Sequence, residues 1–325
     1  MLQRPTPTQA GTPATCASNH LMTLAEFSAL ALKASLPAIV FGTGLATSRG
    51  DVIWLFKNPG LWLRSLLSMN VIAPLFAIAL VTTLPLAPPV KIALVMLSVS
   101  PVPPVLPRKQ AKAGGEPLYI ISLLATSAAL SIVVIPVTLE LLQRVLGVPL
   151  GISPSIVARQ IGTTVLVPLA LGIASRAATT RSTKVDTVSH YIVTMSLILL
   201  LIGVLPMLLT ALPAFRTLVG DGTLMIMVSF AVGALITGHL LGGPNRSHRT
   251  VLALSTATRH PGIAISLAAA NFPDQKLAVP AVLMYVIVSA AVSAPYVAAS
   301  RRHHATPVER SAPTRRISET PSRQR

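Results

Sequence analysis

Long apolar runs separated by short polar connections fill the chain from about residue 21 to residue 300. A helix needs roughly 20 mostly apolar residues to cross a bilayer. About nine segments meet that length: 21–46, 61–83, 90–113, 118–146, 155–177, 185–212, 222–241, 250–272 and 277–300. None alternates apolar and polar residues as a half-buried strand does. The pattern predicts an all-α polytopic membrane protein.

Two of the runs are interrupted. In 90–113 the stretch Ser100-Pro101-Val102-Pro103-Pro104-Val105-Leu106-Pro107 holds four prolines. Each removes a backbone donor and clashes with the preceding turn, so no continuous helix passes through. In 250–272 the stretch Ser255-Thr256-Ala257-Thr258-Arg259-His260-Pro261-Gly262 sets a cation, an imidazole and a Pro-Gly break at mid-bilayer depth. Such groups are expensive against lipid and belong in a protein interior or a wet cavity. Broken spans in matching halves of a chain mark an inverted-repeat transporter.

Composition agrees with this reading. The 325 residues are 52% hydrophobic and 11% charged, with a mean hydropathy of +0.70, whereas a soluble domain has about 25% charged residues. The formal charge of +17 raises nucleic acid as a partner, but no folded basic domain or aromatic-basic alternation is present. Instead the positive charges lie in connections: Arg49, Lys57, Arg64; Arg108, Lys109, Lys112; Arg176, Arg181, Lys184; Arg246, Arg249; and seven Arg in 301–325. The positive-inside rule then predicts a cytoplasmic C-terminus and an external N-terminus in the plasma (inner) membrane. Residues 1–20 read as a disordered leader, 21–300 as the transmembrane domain and 301–325 as a basic disordered tail. Cys16 is the single cysteine, so no intrachain disulfide forms. No cofactor or metal site is predicted.

Arg259, with His260, Thr258, Ser255, Pro261 and Gly262, forms the first candidate site. Pro101, Pro104 and Pro107 form the second. Arg259 has two readings: a buried cation satisfied by backbone carbonyls, or a partner for a substrate carboxylate through its planar fork. His260 either relays protons or caps broken backbone. Asn70, Ser127 and Ser131 line a cavity or make local backbone and interhelical bonds. Gly42 and Gly44 are read as a close helix contact. Trp54, Trp62, Tyr119 and Tyr191 suit an interfacial belt at least as well as a binding box. Enzyme readings fail: no His-Glu-x-x-His spacing occurs, no pair of aspartates faces across two spans, and no strand or third glycine accompanies Gly42-Thr43-Gly44.

Phe41-Gly42-Thr43-Gly44-Leu45, then Asp51, Phe56-Lys57-Asn58-Pro59 and Pro74, resembles the second helix and following loop of the bile acid:sodium symporter family. The spacing continues through Pro101, Gly115 and Pro136. It returns with Gly262-Ile263-Ala264 and Ala268-Ala269-Ala270-Asn271-Phe272, so the resemblance covers most of 41–300. It implies two inverted repeats in the shorter form that lacks the first helix. It also implies a core part whose two broken helices cross at the bilayer midplane and which moves against a panel part, with bile acids or other organic anions as substrates.

Departures from the family pattern fall on its sodium ligands. The resemblance places Val102 and Pro103 at the glycines of the family's Pro-Gly-Gly-x-x-Ser-Asn, and Leu106 and Pro107 at its Ser and Asn. Ile120 and Leu124 replace a Ser and a Thr, Ser255 replaces a Glu, Arg259 a Gln and Met69 another Gln. Sodium needs several oxygens, and those side chains, the Ser255 hydroxyl apart, supply none. The sequence therefore predicts a secondary transporter of a small organic anion with sodium coupling in doubt. The alternative is a non-transporting, degenerate or regulatory membrane protein of the same fold; an anion channel would also use a cationic constriction.

Overall fold

The computed structural model describes residues 24–47, 49–146, 153–179, 183–220 and 222–304. The leader 1–20 with Cys16, the turn at 147–151, Arg181 and the tail beyond 304 lie outside the described residues. The chain forms α1 (Leu24–Leu45), α2 (Arg49–Val52), a 3-10 turn, α3 (Pro59–Leu66), α4 (Ala73–Thr83), α5 (Pro88–Val99), α6 (Leu106–Lys112) and α7 (Pro117–Leu146). It continues with α8 (Pro154–Ile161), α9 (Val167–Ala178), α10 (Thr183–Leu218), α11 (Thr223–Leu241), α12 (Arg246–Ala257), α13 (Pro261–Asn271) and α14 (Ala278–His304). No strand occurs among the described residues. Among the described residues seven helical stretches are long and apolar enough to cross a membrane, and α5–α6 and α12–α13 are the two broken segments.

Two of these stretches contain π-helical turns, Leu67–Ile72 between α3 and α4 and Gly162–Leu166 between α8 and α9. Each runs into a proline, Pro74 or Pro168, that cannot donate to the preceding turn. A widened turn accommodates the ring without ending the helix.

The breaks are narrower than the sequence predicts. Pro107 lies in the first turn of α6, and Pro261 and Gly262 open α13. A proline at the first helical position loses only an N–H that would be unpaired there, and its fixed φ suits the helix. Only 100–105 and 258–260 leave helical geometry. At the chain's end the helix predicted to stop at 300 runs on to His304.

α1 packs on α9 and α10, forming one group of helices, while α4, α5, α11, α12, α13 and α14 pack around a common apolar centre in another. α7 touches α8, and α10 touches α14, across the divide. α10 turns Ile198, Leu201, Leu205 and Leu209 outward, an apolar face that suits hydrocarbon and not water.

Gly44 and Gly172 allow the closest approach in the first group. A Cβ on Gly172 would stand 2.4 Å from the Phe41 carbonyl oxygen and 2.9 Å from the Gly44 Cα. Gly42 lies against Val193 of α10 in the same way, so the glycine pair packs helices as expected. Gly172→Val should separate α1 from α9 at a cost of about 1–3 kcal/mol. A lower unfolding midpoint in detergent is the expected reading, and an unchanged midpoint contradicts this packing.

Basic residues gather at one end of the bundle. Arg301 Nε donates to the Lys112 carbonyl at 2.9 Å, Arg249 Nε to the Gly243 carbonyl at 2.6 Å, and Lys57 and Arg64 line one cavity with Gly243 and His248. Tyr119 is a correction to the interfacial belt. It is fully buried, with its hydroxyl 2.7 Å from Ser65 Oγ, because the second group of helices closes over it.

Candidate functional site

α5 stops at Ser100 because the residue before a proline is driven out of the helical region; Ser100 takes ψ 148°. The same rule leaves His260 extended before Pro261, at ψ 103°. The two interruptions meet directly, the His260 N–H donating to the Pro101 carbonyl at 2.9 Å. The broken segments therefore cross where they are unwound, and the C-terminal ends of α5 and α12 turn their last carbonyls toward one point.

Arg259 fills that point. It is 2% exposed, and its guanidinium donates to three carbonyls on three separate segments. Nε reaches Thr256 at 3.0 Å, Nη1 reaches Ser100 at 3.1 Å and Nη2 reaches Met69 at 2.7 Å. The Met69 carbonyl is free for a local reason. In the π turn the Ala73 N–H bonds to Ser68, and the next residue, Pro74, has no N–H to offer. Helix C-termini carry partial negative charge, so a cation is favoured beside α5 and α12. All three partners of Arg259 among the described residues are backbone carbonyls.

Neighbouring polar groups fasten the same region. Tyr285 Oη donates to the Ala257 carbonyl at 2.8 Å, and Ser68 Oγ and Thr256 Oγ1 lie 2.8 Å apart. Gln110 of α6, 1% exposed, donates through Nε2 to the Val251 carbonyl at 2.9 Å and to Ser255 Oγ at 2.7 Å. One amide thus ties the second half of one broken segment to the first half of the other.

The predicted site residues divide. Arg259, His260, Thr258, Pro101 and Pro104 come together at the crossing, and Ser255 is buried beside it as the partner of Gln110. His260 Nδ1 accepts from the Ile263 N–H at 3.4 Å, a capping role, while its Nε2 and Thr258 Oγ1 are buried without a hydrogen-bond partner among the described residues. Gly262 offers its carbonyl to Gln160 Nε2 at 3.4 Å, a bond between α8 and the crossing. Asn70 is half-buried on the π turn. Ser127 and Ser131 donate to carbonyls three residues back, Leu124 at 3.1 Å and Ala128 at 2.6 Å; these are local bonds and make no side-chain link to the crossing. Leu106, Ile120 and Leu124, at three of the positions where the resemblance expects sodium ligands, are buried in the apolar centre.

A cleft of about 370 Å3 lies between α1, α6, the start of α7 and α10. Thr43 and Thr47 of α1, Pro107 and Arg108 of α6, and Asp186 and His190 of α10 line it. Arg108 Nη2 donates to Thr194 Oγ1 of α10 at 3.1 Å. The next residue, Lys109, is directed the other way and bonds Ser293 of α14. Asp186 pairs with Arg176 at 2.7 Å, which offsets the one carboxylate in the lining.

Sequence reasoning used Arg108 only as a topology marker and passed over Gln110, Gln160 and Tyr285. Gln110 had little signal: Arg108, Lys109 and Lys112 around it make the stretch read as a polar connection. Arg108 had none apart from its nearness to the break.

No curated protein matches the chain. The sequence pattern described as the Sodium Bile acid symporter family matches residues 35–216, more than half of the 325 residues. The match takes in the second half of α1, α2 to α9 with the first broken segment, and nearly all of α10; the second broken segment, with Gly262 to Phe272, falls outside it. With a helical membrane bundle, an interrupted proline-rich segment and a cleft beside it, the chain belongs to the sodium bile acid symporter family of membrane transporters.

Proposed function

We propose that the protein is a secondary transporter of a small organic anion that works without sodium at the family's ion positions. The reading takes the chain as nine crossings in two inverted repeats, with α5–α6 and α12–α13 as the broken pair. The helices α1, α8, α9 and α10 form the moving panel. The basic end faces the cytoplasm, with the C-terminus, in the plasma membrane.

One observation carries it: the Arg259 guanidinium is fixed by three carbonyls where the resemblance puts sodium, and a cleft at α6, the helix that follows the first break, holds a second guanidinium, Arg108. A tethered cation supplies the positive charge that a bound sodium would bring to the helix C-termini. A mobile sodium in the same place would be repelled, by about 4 kcal/mol at ~4 Å and an effective dielectric near 20. The cleft in turn offers an anion Arg108 and the His190 imidazole; the Thr43 and Thr47 hydroxyls already donate to the Ile39 and Thr43 carbonyls.

The test is uptake of labelled organic anions, bile acids included, into proteoliposomes bearing a sodium gradient, a proton gradient or neither. Saturable uptake that is unchanged when choline replaces sodium is the expected result. Sodium-driven uptake would overturn the ion assignment. Absence of uptake for every anion in the panel would favour a non-transporting protein of the same fold.

A further inference from the structure

A second cationic cavity lies away from the cleft, at the basic end of the other group of helices. It has a volume of about 340 Å3 and is lined by His239 of α11, Arg246, Arg249 and Thr250 of α12, and Tyr296 and Ser300 of α14. The turn between α11 and α12 builds it. Gly242 lies so close to Arg249 that a Cβ there would be 2.4 Å from the Arg249 Cα, and Gly243 has a positive φ of 80°, which favours glycine.

The lining contains two guanidiniums and no carboxylate. Arg249 uses Nε on the Gly243 carbonyl at 2.6 Å; its two terminal nitrogens have no hydrogen-bond partner among the described residues. The Arg246 side chain is exposed and has none there either. The other polar groups are already arranged, His239 Nδ1 2.8 Å from Tyr296 Oη and Thr250 Oγ1 2.7 Å from Ser300 Oγ. Two unpaired guanidinium forks on one wall suit the oxygens of a phosphate.

The surroundings indicate how that phosphate arrives. Val232 and Ile236 continue the His239 face of α11 at helical spacing, and both are exposed and apolar. Ile287, Ala291, Pro295 and Ala299 form a similar exposed row on α14, ending at the cavity. α11 and α14 pack together, and His239 and Ala299, at the ends of the two rows, both line the cavity.

We propose that this cavity binds the phosphate of an anionic phospholipid, with the acyl chains lying along the apolar rows of α11 and α14. It stands apart from the transport cleft and does not depend on the substrate assigned there.

The full-length protein in detergent is titrated with short-chain phosphatidylglycerol, short-chain phosphatidylcholine and inorganic phosphate, with the unfolding midpoint as the reading. Phosphatidylglycerol should raise the midpoint saturably and bind at least about tenfold more tightly than phosphatidylcholine. Arg246→Gln, which changes an exposed side chain, should weaken that binding about fivefold, and Ala299→Trp should block it by filling the cavity. Equal binding of the two lipids overturns the proposal. So does phosphatidylglycerol binding that neither variant alters, which would place it on the arginines beyond 304. Inorganic phosphate binding as tightly as the lipid would make the ligand a soluble anion and overturn the lipid assignment.

Discussion

Arg259→Gln is expected to cost the protein about 3–5 kcal/mol of stability, from buried carbonyls left unpaired and from the loss of a cation at two helix C-termini. The loss should appear as a sharp fall in monodisperse protein and in unfolding midpoint. Three carbonyls on α12, on the end of α5 and on the π turn before α4 now share one guanidinium. A glutamine amide has two donor hydrogens and a shorter stem, so at least one carbonyl is left buried and unpaired, at roughly 1–3 kcal/mol. The favourable cation beside two helix C-termini goes as well, worth up to about 2 kcal/mol in a partly buried geometry. Arg259→Lys should fall between, because an ammonium keeps the charge without the planar fork. Adding sodium should not rescue Arg259→Gln, since Leu106, Ile120 and Leu124 bring no oxygens. A variant as stable as the parent would mean that the three carbonyls find other donors and that Arg259 is free for a substrate.

The breaks, the long apolar spans and the basic end were legible because each rests on local chemistry: proline geometry, span length and the position of Arg and Lys. Arg259 itself was legible as a costly residue at mid-span. Its partners were not, because the Met69 carbonyl becomes available only through a π turn that Pro74 induces, and a π turn has no distinct hydrophobic pattern. The ends of the breaks were misplaced for a related reason. Pro107 and Pro261 read as interruptions in sequence, yet each begins a helix, and only the surrounding packing decides which side of a proline is helical. Gln110 was passed over because its partners, Val251 and Ser255, are remote in sequence. Tyr119 misled because an aromatic near a span end looks the same whether it meets headgroups or a buried serine.

Arg108→Gln is expected to lower organic-anion uptake by about 10- to 100-fold, the rate equivalent of one charge-assisted bond of roughly 1.5–3 kcal/mol, while leaving the unfolding midpoint near its parent value. The two arginines differ in what they have left to give. Arg259 has one bond from each of its three guanidinium nitrogens to a carbonyl, whereas Arg108 is half-buried with one bond, to Thr194 Oγ1 at 3.1 Å. Nε and Nη1 of Arg108 have no partner among the described residues and face no uncompensated carboxylate, because Asp186 is held by Arg176. Placed on α6 immediately after the break, Arg108 would move with the crossing while its partner Thr194 moves with α10. An anion held by it would be carried between the two groups of helices. A purely tethering role has a distinct signature: Thr194→Val removes the bond and keeps the charge, so it should lower uptake far less than Arg108→Gln. Equal losses in the two variants would reduce Arg108 to a clasp between α6 and α10. Arg108→Lys should recover part of the uptake with a raised KM, since the charge remains and the fork that fits a carboxylate does not.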